Sequence, residues 1–307
     1  MKRSFYRSLD RPMDLFGLKG RWIRTFLLIL AVLLFPAFLA GVAGGIGLGG
    51  LIIIGIISLL MGGNPLDILQ QVGGAGGTEI LTPSGRTPTA EEEELAVFSK
   101  QILAGTEDVW TKIFAQNGRK YIPPKLVLYN DYVQTASGTA SAQMGPFYNS
   151  ADQTVYIDLS FFSTMKQQIG ADGDFAYAYV IAHEVGHHVQ YLLGTLQQAH
   201  QQMSRVSQAE SNQISVRLEL QADFYAGVWA HHDNKMYNSL EPGDIEEGMA
   251  VASKIGDDYL QKKARGYATP ETFNHGTSDQ RSRWLMKGFN TGNPANGDTF
   301  SPRYNQL

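Results

Sequence analysis

GDFAYAYVIAHEVGHHVQYLLG, residues 173–194, decides how the rest of this chain is read. It is long and largely apolar, and it predicts a buried helix. Inside it, His183-Glu184-Val185-Gly186-His187 forms an H-E-x-x-H pattern. Residues four apart on a helix share one face, with Cβ atoms about 6 Å apart. Two imidazoles so placed can reach a single Zn²⁺ at about 2.0–2.1 Å. Glu184 is too poorly directed to be a ligand, but it can take a proton from a water at the metal. A polar patch inside a helix is the bland reading. It is disfavoured because a buried charged Glu between two histidines needs partners.

A third ligand is required. One way of extending the pattern places Gly at 190 and His at 193, but those positions hold Gln190 and Leu193, which excludes the metzincin layout. The next helical stretch, ESNQISVRLELQADFYAGVWAHH (210–232), supplies Glu219 and, four residues on, Asp223. Glu219 can complete a His₂Glu site with one position open to water. Asp223 can accept the remaining N–H of a ligand histidine, His183 being the candidate, and fix its tautomer. Among the other histidines, His188 points about 100° from His187 and reads as structural or exposed. His231 and His232 close the second helix, where cations suit the dipole. His275, in FNHGTSDQR, is either a loop histidine or a donor to the oxyanion of a tetrahedral intermediate. Arg281 can play that same part or pair with an acid near the metal.

Around this helical pair the chain reads as α+β, mainly helical with a small sheet. AEEEELAVFSKQILAGTEDVWTKIFAQNG carries helical periodicity with acids at its start, so the folded domain begins near Glu92 and is expected over 92–290. KLVLYND (125–131) reads as a strand. GPFYN and TVYIDLSFF flank the turn Ser150–Gln153 as a hairpin. A third helix is expected from about Pro242 to Lys263. Thr277-Ser278-Asp279-Gln280 is a capping box that opens a last helix through Trp284. Residues 291–307, rich in Gly, Asn and Pro, are expected to be a loosely ordered tail.

The N-terminal part differs in kind. Residues 1–24 are basic, and no charged side chain occurs from Thr25 to Met61. A run of this length predicts a transmembrane region over 25–61. Glycines clustered at 41–50 divide it, so a hairpin of two spans, one tilted span with an interfacial flank and a cleaved signal at 25–43 all fit. The basic head keeps its own side cytoplasmic. No Lys or Arg then appears until Arg86, which favours an extracytoplasmic catalytic domain. Residues 62–91, with GGNPLD, VGGAGG and TPSGRTPT, read as a flexible linker. The net charge of −4 offers no overall basic field to nucleic acid. The absence of cysteine excludes disulfides and thiolate metal ligands.

The segments GPFYN, TVYIDLSFF, HEVGHHVQ, LELQADFYAG and HGTSDQR, in this order, resemble the bacterial neutral zinc metallopeptidase family. The resemblance covers roughly residues 92–290 and the Gly-rich apolar stretch GLGGLIIIGIISLL. The first apolar stretch, 25–43, departs from that family's usual single anchor. The wider relatives are gluzincins, so the resemblance implies a zincin-like fold, zinc held by His183, His187 and Glu219, Glu184 as base, and Asp223 behind the ligands. The expected activity is hydrolysis of peptide bonds in a peptide or protein substrate at the surface of a lipid bilayer, in the bacterial cell membrane. An edge strand beside the cleft is expected to align the substrate, with TVYIDLSFF the candidate. Two alternatives stay open: an inactive membrane-tethered binding module with a structural zinc, and a hydrolase acting on a non-peptide amide.

Overall fold

Thr89 and Glu92 start the folded region by satisfying each other's backbone N–H groups. The Thr89 N–H donates to Glu92 Oε2 at 2.7 Å, and the Glu92 N–H donates to Thr89 Oγ1 at 3.2 Å. The computed structural model describes residues 89–141, 144–170 and 173–307. The basic segment 1–24, the apolar region 25–61 and nearly all of the linker 62–91 lie outside the described residues. Within them, no helix is long and apolar enough to cross a membrane.

Helix α1 (Ala90–Gln116) buries Val109, Trp110, Ile113 and Phe114 against the core. It leads into a three-stranded sheet of β1 (Lys125–Tyr129), β4 (Phe147–Asn149) and β5 (Thr154–Asp158). A separate hairpin, β2 (Tyr132–Thr135) and β3 (Gly138–Ser141), projects between β1 and β4 in sequence. The sheet order is β1-β5-β4, with β1 parallel and β4 antiparallel to β5. The turn at 150–153 therefore joins a true hairpin. TVYID, however, is the central strand, buried along its whole length, and cannot be the edge that meets a substrate. The free edge on that side is β4. TVYIDLSFF also does not continue as strand: helix α2 (Phe161–Ile169) begins after Ser160. Asp158 stops the strand, because its buried carboxylate accepts the N–H groups of Asp131 and Ser160.

Helices α3 (Asp174–Leu193) and α5 (Gln208–Tyr237) form the centre, joined through the short α4 (Thr195–Met203). A Ser207/Glu210 capping box starts α5. The expected single helix from 242 to 263 is two, α6 (Asp244–Lys254) and α7 (Asp257–Arg265). The break falls at Gly256, where an added Cβ would lie 2.3 Å from the backbone nitrogen of Ser278. That close approach turns Asp257 towards the loop before the last helix. Helix α8 (Ser278–Thr291) opens on the Thr277/Gln280 capping box, as its sequence predicts.

The segment from 291 is not loose. Thr299 is fully buried, its hydroxyl donates to the Arg217 carbonyl at 2.7 Å, and Gln221 Nε2 donates to the Gly297 carbonyl at 2.8 Å. Gly, Asn and Pro serve here to seat two short 3₁₀ turns, Pro294–Asn296 and Tyr304–Gln306, close to helical backbone.

Glycines let the three central helices touch. A Cβ on Gly186 of α3 would meet the Ala222 carbonyl oxygen of α5 at 2.9 Å. One on Gly288 of α8 would meet the Phe224 carbonyl oxygen of α5 at 2.0 Å. Helix propensity alone favours Ala over Gly by about 1 kcal/mol. Gly288→Ala is nevertheless predicted to destabilise the domain by about 1–3 kcal/mol or more, because the contact has no room for a methyl group. Chemical denaturation measures this, and a stabilised variant would contradict the packing described.

Candidate metal centre

His183, Glu184 and His187 project from the middle of α3 as the helical period demands. All three are largely buried, and α5 crosses them with Glu219 facing in. His183 Nε2 lies 3.2 Å from Glu219 Oε2, and His187 Nε2 lies 3.5 Å from Glu219 Oε1. One donor atom from each residue falls within 4.8 Å of the other two. Two donors each about 2.0–2.1 Å from one tetrahedral ion lie about 3.3–3.4 Å apart. The two His–Glu separations bracket that value, so the donor set fits a zinc ion in both chemistry and spacing. Among the described residues, no other His, Asp or Glu joins the cluster.

Each imidazole is turned towards the cluster by the partner of its other nitrogen. The His183 Nδ1–H donates to Asp223 Oδ1 at 2.7 Å. Asp223 is fully buried and also accepts from the Tyr179 hydroxyl at 2.6 Å. Arg281 grips it with two bonds, Nε to Oδ2 at 2.8 Å and Nη2 to Oδ1 at 2.9 Å. Arg281 thus pairs with the acid behind the ligand and is itself buried. Nδ1 of His187 meets Gln190 Oε1 at 2.9 Å.

The electrostatics follow from these contacts. Burial works against charge on Asp223, yet Arg281 and then His183 hold its carboxyl down at about 2. Burial also opposes charge on Glu219, but His187 and His183 keep it well below the usual carboxylate range. Burial pushes His187 down to about 4, which leaves its Nε2 lone pair free. On His183, burial is outweighed by Asp223 and Glu219, which raise it to about 10; a cation placed between His183 and Glu219 competes with that proton. Burial lifts Glu184 to about 7, helped by Glu219 and opposed by His183 and by the Tyr148 backbone N–H that its carboxylate accepts. A carboxyl tuned near neutrality can both take and return a proton.

His275 is buried in the loop before α8, with Nδ1 3.1 Å from Asp257 Oδ1. The other oxygen of Asp257 accepts the backbone N–H groups of Asn274, His275 and Gly276. Burial opposes protonation of His275, but Asp257 and more weakly Glu219 raise its pKa. His188 is structural: Nδ1 meets the Tyr148 hydroxyl at 2.9 Å and Nε2 donates to the Ile122 carbonyl at 2.6 Å. His231 and His232 cap the end of α8 rather than that of their own helix, through the Phe289 and Gly292 carbonyls.

Sequence reasoning missed Tyr179, Asp257 and the part played by Gln190. Tyr179 could have been found, since it lies one helical turn before His183 on the same face. Asp257 was hidden inside what reads as a continuous helix. Gln190 registered only as a departure from another pattern.

The chain matches the sequence pattern of a family described as "Putative neutral zinc metallopeptidase" over residues 37–300. The protein of Escherichia coli (strain K12) named "Uncharacterized protein YpfJ" is 47% identical over 254 residues, covering 83% of this chain and 87% of that one. "Uncharacterized protein Rv2575" of Mycobacterium tuberculosis (strain H37Rv) is 42% identical over 191 residues, 59% of this chain and 64% of that one. No solved structure matches the chain significantly. The match spans most of the chain, including all of α3 and α5, and the chain therefore belongs to this zinc metallopeptidase family.

Proposed function

We propose that this protein is a membrane-anchored, zinc-dependent endopeptidase in which Glu184 is the general base. The observation that carries the reading is the pair of His–Glu separations, 3.2 and 3.5 Å, in a three-residue donor set with no fourth member among the described residues. Structural zinc sites are closed by four protein ligands, whereas catalytic sites keep one position open. This favours an enzyme over a binding module with a structural zinc.

His183, His187 and Glu219 hold the ion. When bound, zinc lowers the pKa of a coordinated water towards about 7 and polarises a carbonyl oxygen. Glu184 takes the proton of the attacking water and returns it to the leaving nitrogen. Its burial, and the Tyr148 N–H on one oxygen, keep the carboxylate in place for both transfers. His275, with Nδ1 committed to Asp257, presents Nε2 as a donor to the developing oxyanion. An extended peptide pairs with the open edge of β4, the strand whose Tyr148 backbone meets Glu184. Such backbone pairing favours a peptide over an isolated amide.

The anchor and the side of the membrane rest on the sequence. The uncharged run 25–61 supports attachment to the lipid bilayer, and the basic head with the Lys/Arg-free stretch up to Arg86 supports an extracytoplasmic catalytic domain.

Glu184→Gln is expected to keep stoichiometric zinc and to lose at least about 10²–10⁴-fold in turnover of a peptide library. Equal turnover by the zinc-loaded variant would sink the assignment. His275→Ala is expected to lower kcat by about 10²–10³-fold with zinc content unchanged, as for loss of an oxyanion donor. A loss confined to KM would instead place His275 in substrate binding.

A further inference from the structure

We propose that a one-way chain of amide hydrogen bonds, running from the C-terminal segment through Gln221 and Gln190, sets His187 as a ligand by forcing its proton onto Nδ1. The inference rests on the reading of His187 as a metal ligand and adds what determines its tautomer.

The direction of the chain follows from groups that can only accept. The Gly297 carbonyl has no proton to give, so Gln221 must turn Nε2 towards it, at 2.8 Å. That leaves Gln221 Oε1 facing Gln190, whose Nε2 donates to it at 3.1 Å. The same Nε2 donates to the Leu218 carbonyl at 2.7 Å, a second acceptor with no alternative role. Gln190 is fully buried and Gln221 nearly so, so neither amide can turn to water instead. Flipping either one would set donor against donor or acceptor against acceptor in a site without solvent, at the cost of a buried unmade bond. Gln190 Oε1 is thereby fixed towards His187 Nδ1, at 2.9 Å, and an acceptor there requires the proton to sit on Nδ1. His187 Nε2 then carries a lone pair aimed at Glu219 and the metal position.

The two histidines are thus set by different chemistry. His183 leans on a charged acid, Asp223, while His187 leans on neutral amides. The second arrangement brings no charge to the site and depends on the orientation of each amide. The outer end of the chain is tied down: Arg217 donates to the Thr299 and Phe300 carbonyls, and Gly297 packs so close to Phe224 that an added Cβ would meet the ring at 2.5 Å. The segment that closes over α5 therefore contributes to the metal centre without touching it. Leu218, one residue before Glu219, ties the orientation of Gln190 to the helix that supplies the third ligand.

The test uses the full 307-residue chain, with zinc affinity read by chelator competition and folding read by circular dichroism. Gln190→Met keeps the volume and removes the acceptor, and it is expected to weaken zinc binding by about 10–100-fold, the range typical of lost partners behind a ligand. Gln190→Glu keeps an acceptor for Nδ1–H and is expected to bind zinc more tightly than Gln190→Met. Gln221→Leu, which removes one of the two groups orienting Gln190, is expected to show a smaller loss than Gln190→Met. Folded Gln190→Met with zinc affinity within twofold of wild type would overturn the proposal. A second readout needs no variant: ¹⁵N correlation spectra of the zinc-free wild type are expected to show His187 as the Nδ1–H tautomer, and an Nε2–H tautomer would overturn it. Failure of the wild type to bind zinc would instead strike at the metal-site reading on which the inference stands.

Discussion

The close crossing of α5 with α3 on one side and α8 on the other is the constraint on which the site depends. Glu219 and Asp223 can face His183 only if the backbones of α3 and α5 approach to the limit that Gly186 and Ala222 allow. Arg281 can reach Asp223 only because Gly227 and Gly288 let α8 lie equally close on the opposite side, where a Cβ on Gly227 would meet the Leu285 carbonyl at 2.1 Å. The second variable residue of H-E-x-x-H is therefore a packing position. Its lack of a side chain sets the distance at which the third ligand arrives.

Bringing helices this close buries charge, and the structure deals with it locally. Asp223 is fully buried and ionised, which is tolerable because Arg281, His183 and Tyr179 direct four hydrogen bonds at its two oxygens. Removing one partner of such a pair is far more damaging than the pair's net worth suggests, since an uncompensated charge is left inside the protein. Arg281 thus belongs to the support of the metal ligand. It is spent on Asp223 and is not free to serve a reacting oxyanion, which leaves that part to His275. Asp257 performs the matching task on the other side. One carboxylate oxygen gathers three successive backbone N–H groups and the other holds the imidazole, so a short loop becomes a rigid platform.

The donor set was legible in the sequence because its geometry is local. His183 and His187 are one helical turn apart, and so are Glu219 and Asp223, so each pair's common face follows from periodicity alone. Capping at Thr277 was legible for the same reason. What escaped was decided by contacts between distant segments. TVYID looks like a strand of any kind; only the parallel pairing with β1, which no local pattern encodes, makes it central and leaves β4 as the edge. Gly256 looks tolerable inside a helix until the backbone of Ser278 is found against it. Residues 291–307 have the composition of a loose tail, yet their carbonyls are taken up by Arg217 and Gln221, two side chains that sequence reading left unassigned. Gln190 shows how a pattern defined for another protein class can hide a role: it registered as a missing Gly, while its place is set by the hydrogen bond it accepts.

The central claim is that two histidines and one carboxylate hold a zinc ion and leave it one open position. X-ray absorption at the zinc edge of the purified, zinc-loaded chain addresses this directly. The account predicts one zinc per chain with two imidazole nitrogens and one carboxylate oxygen at about 2.0–2.2 Å, and a further light-atom ligand that exchanges with solvent. Absence of stoichiometric zinc, or a fourth donor supplied by the protein, would contradict it.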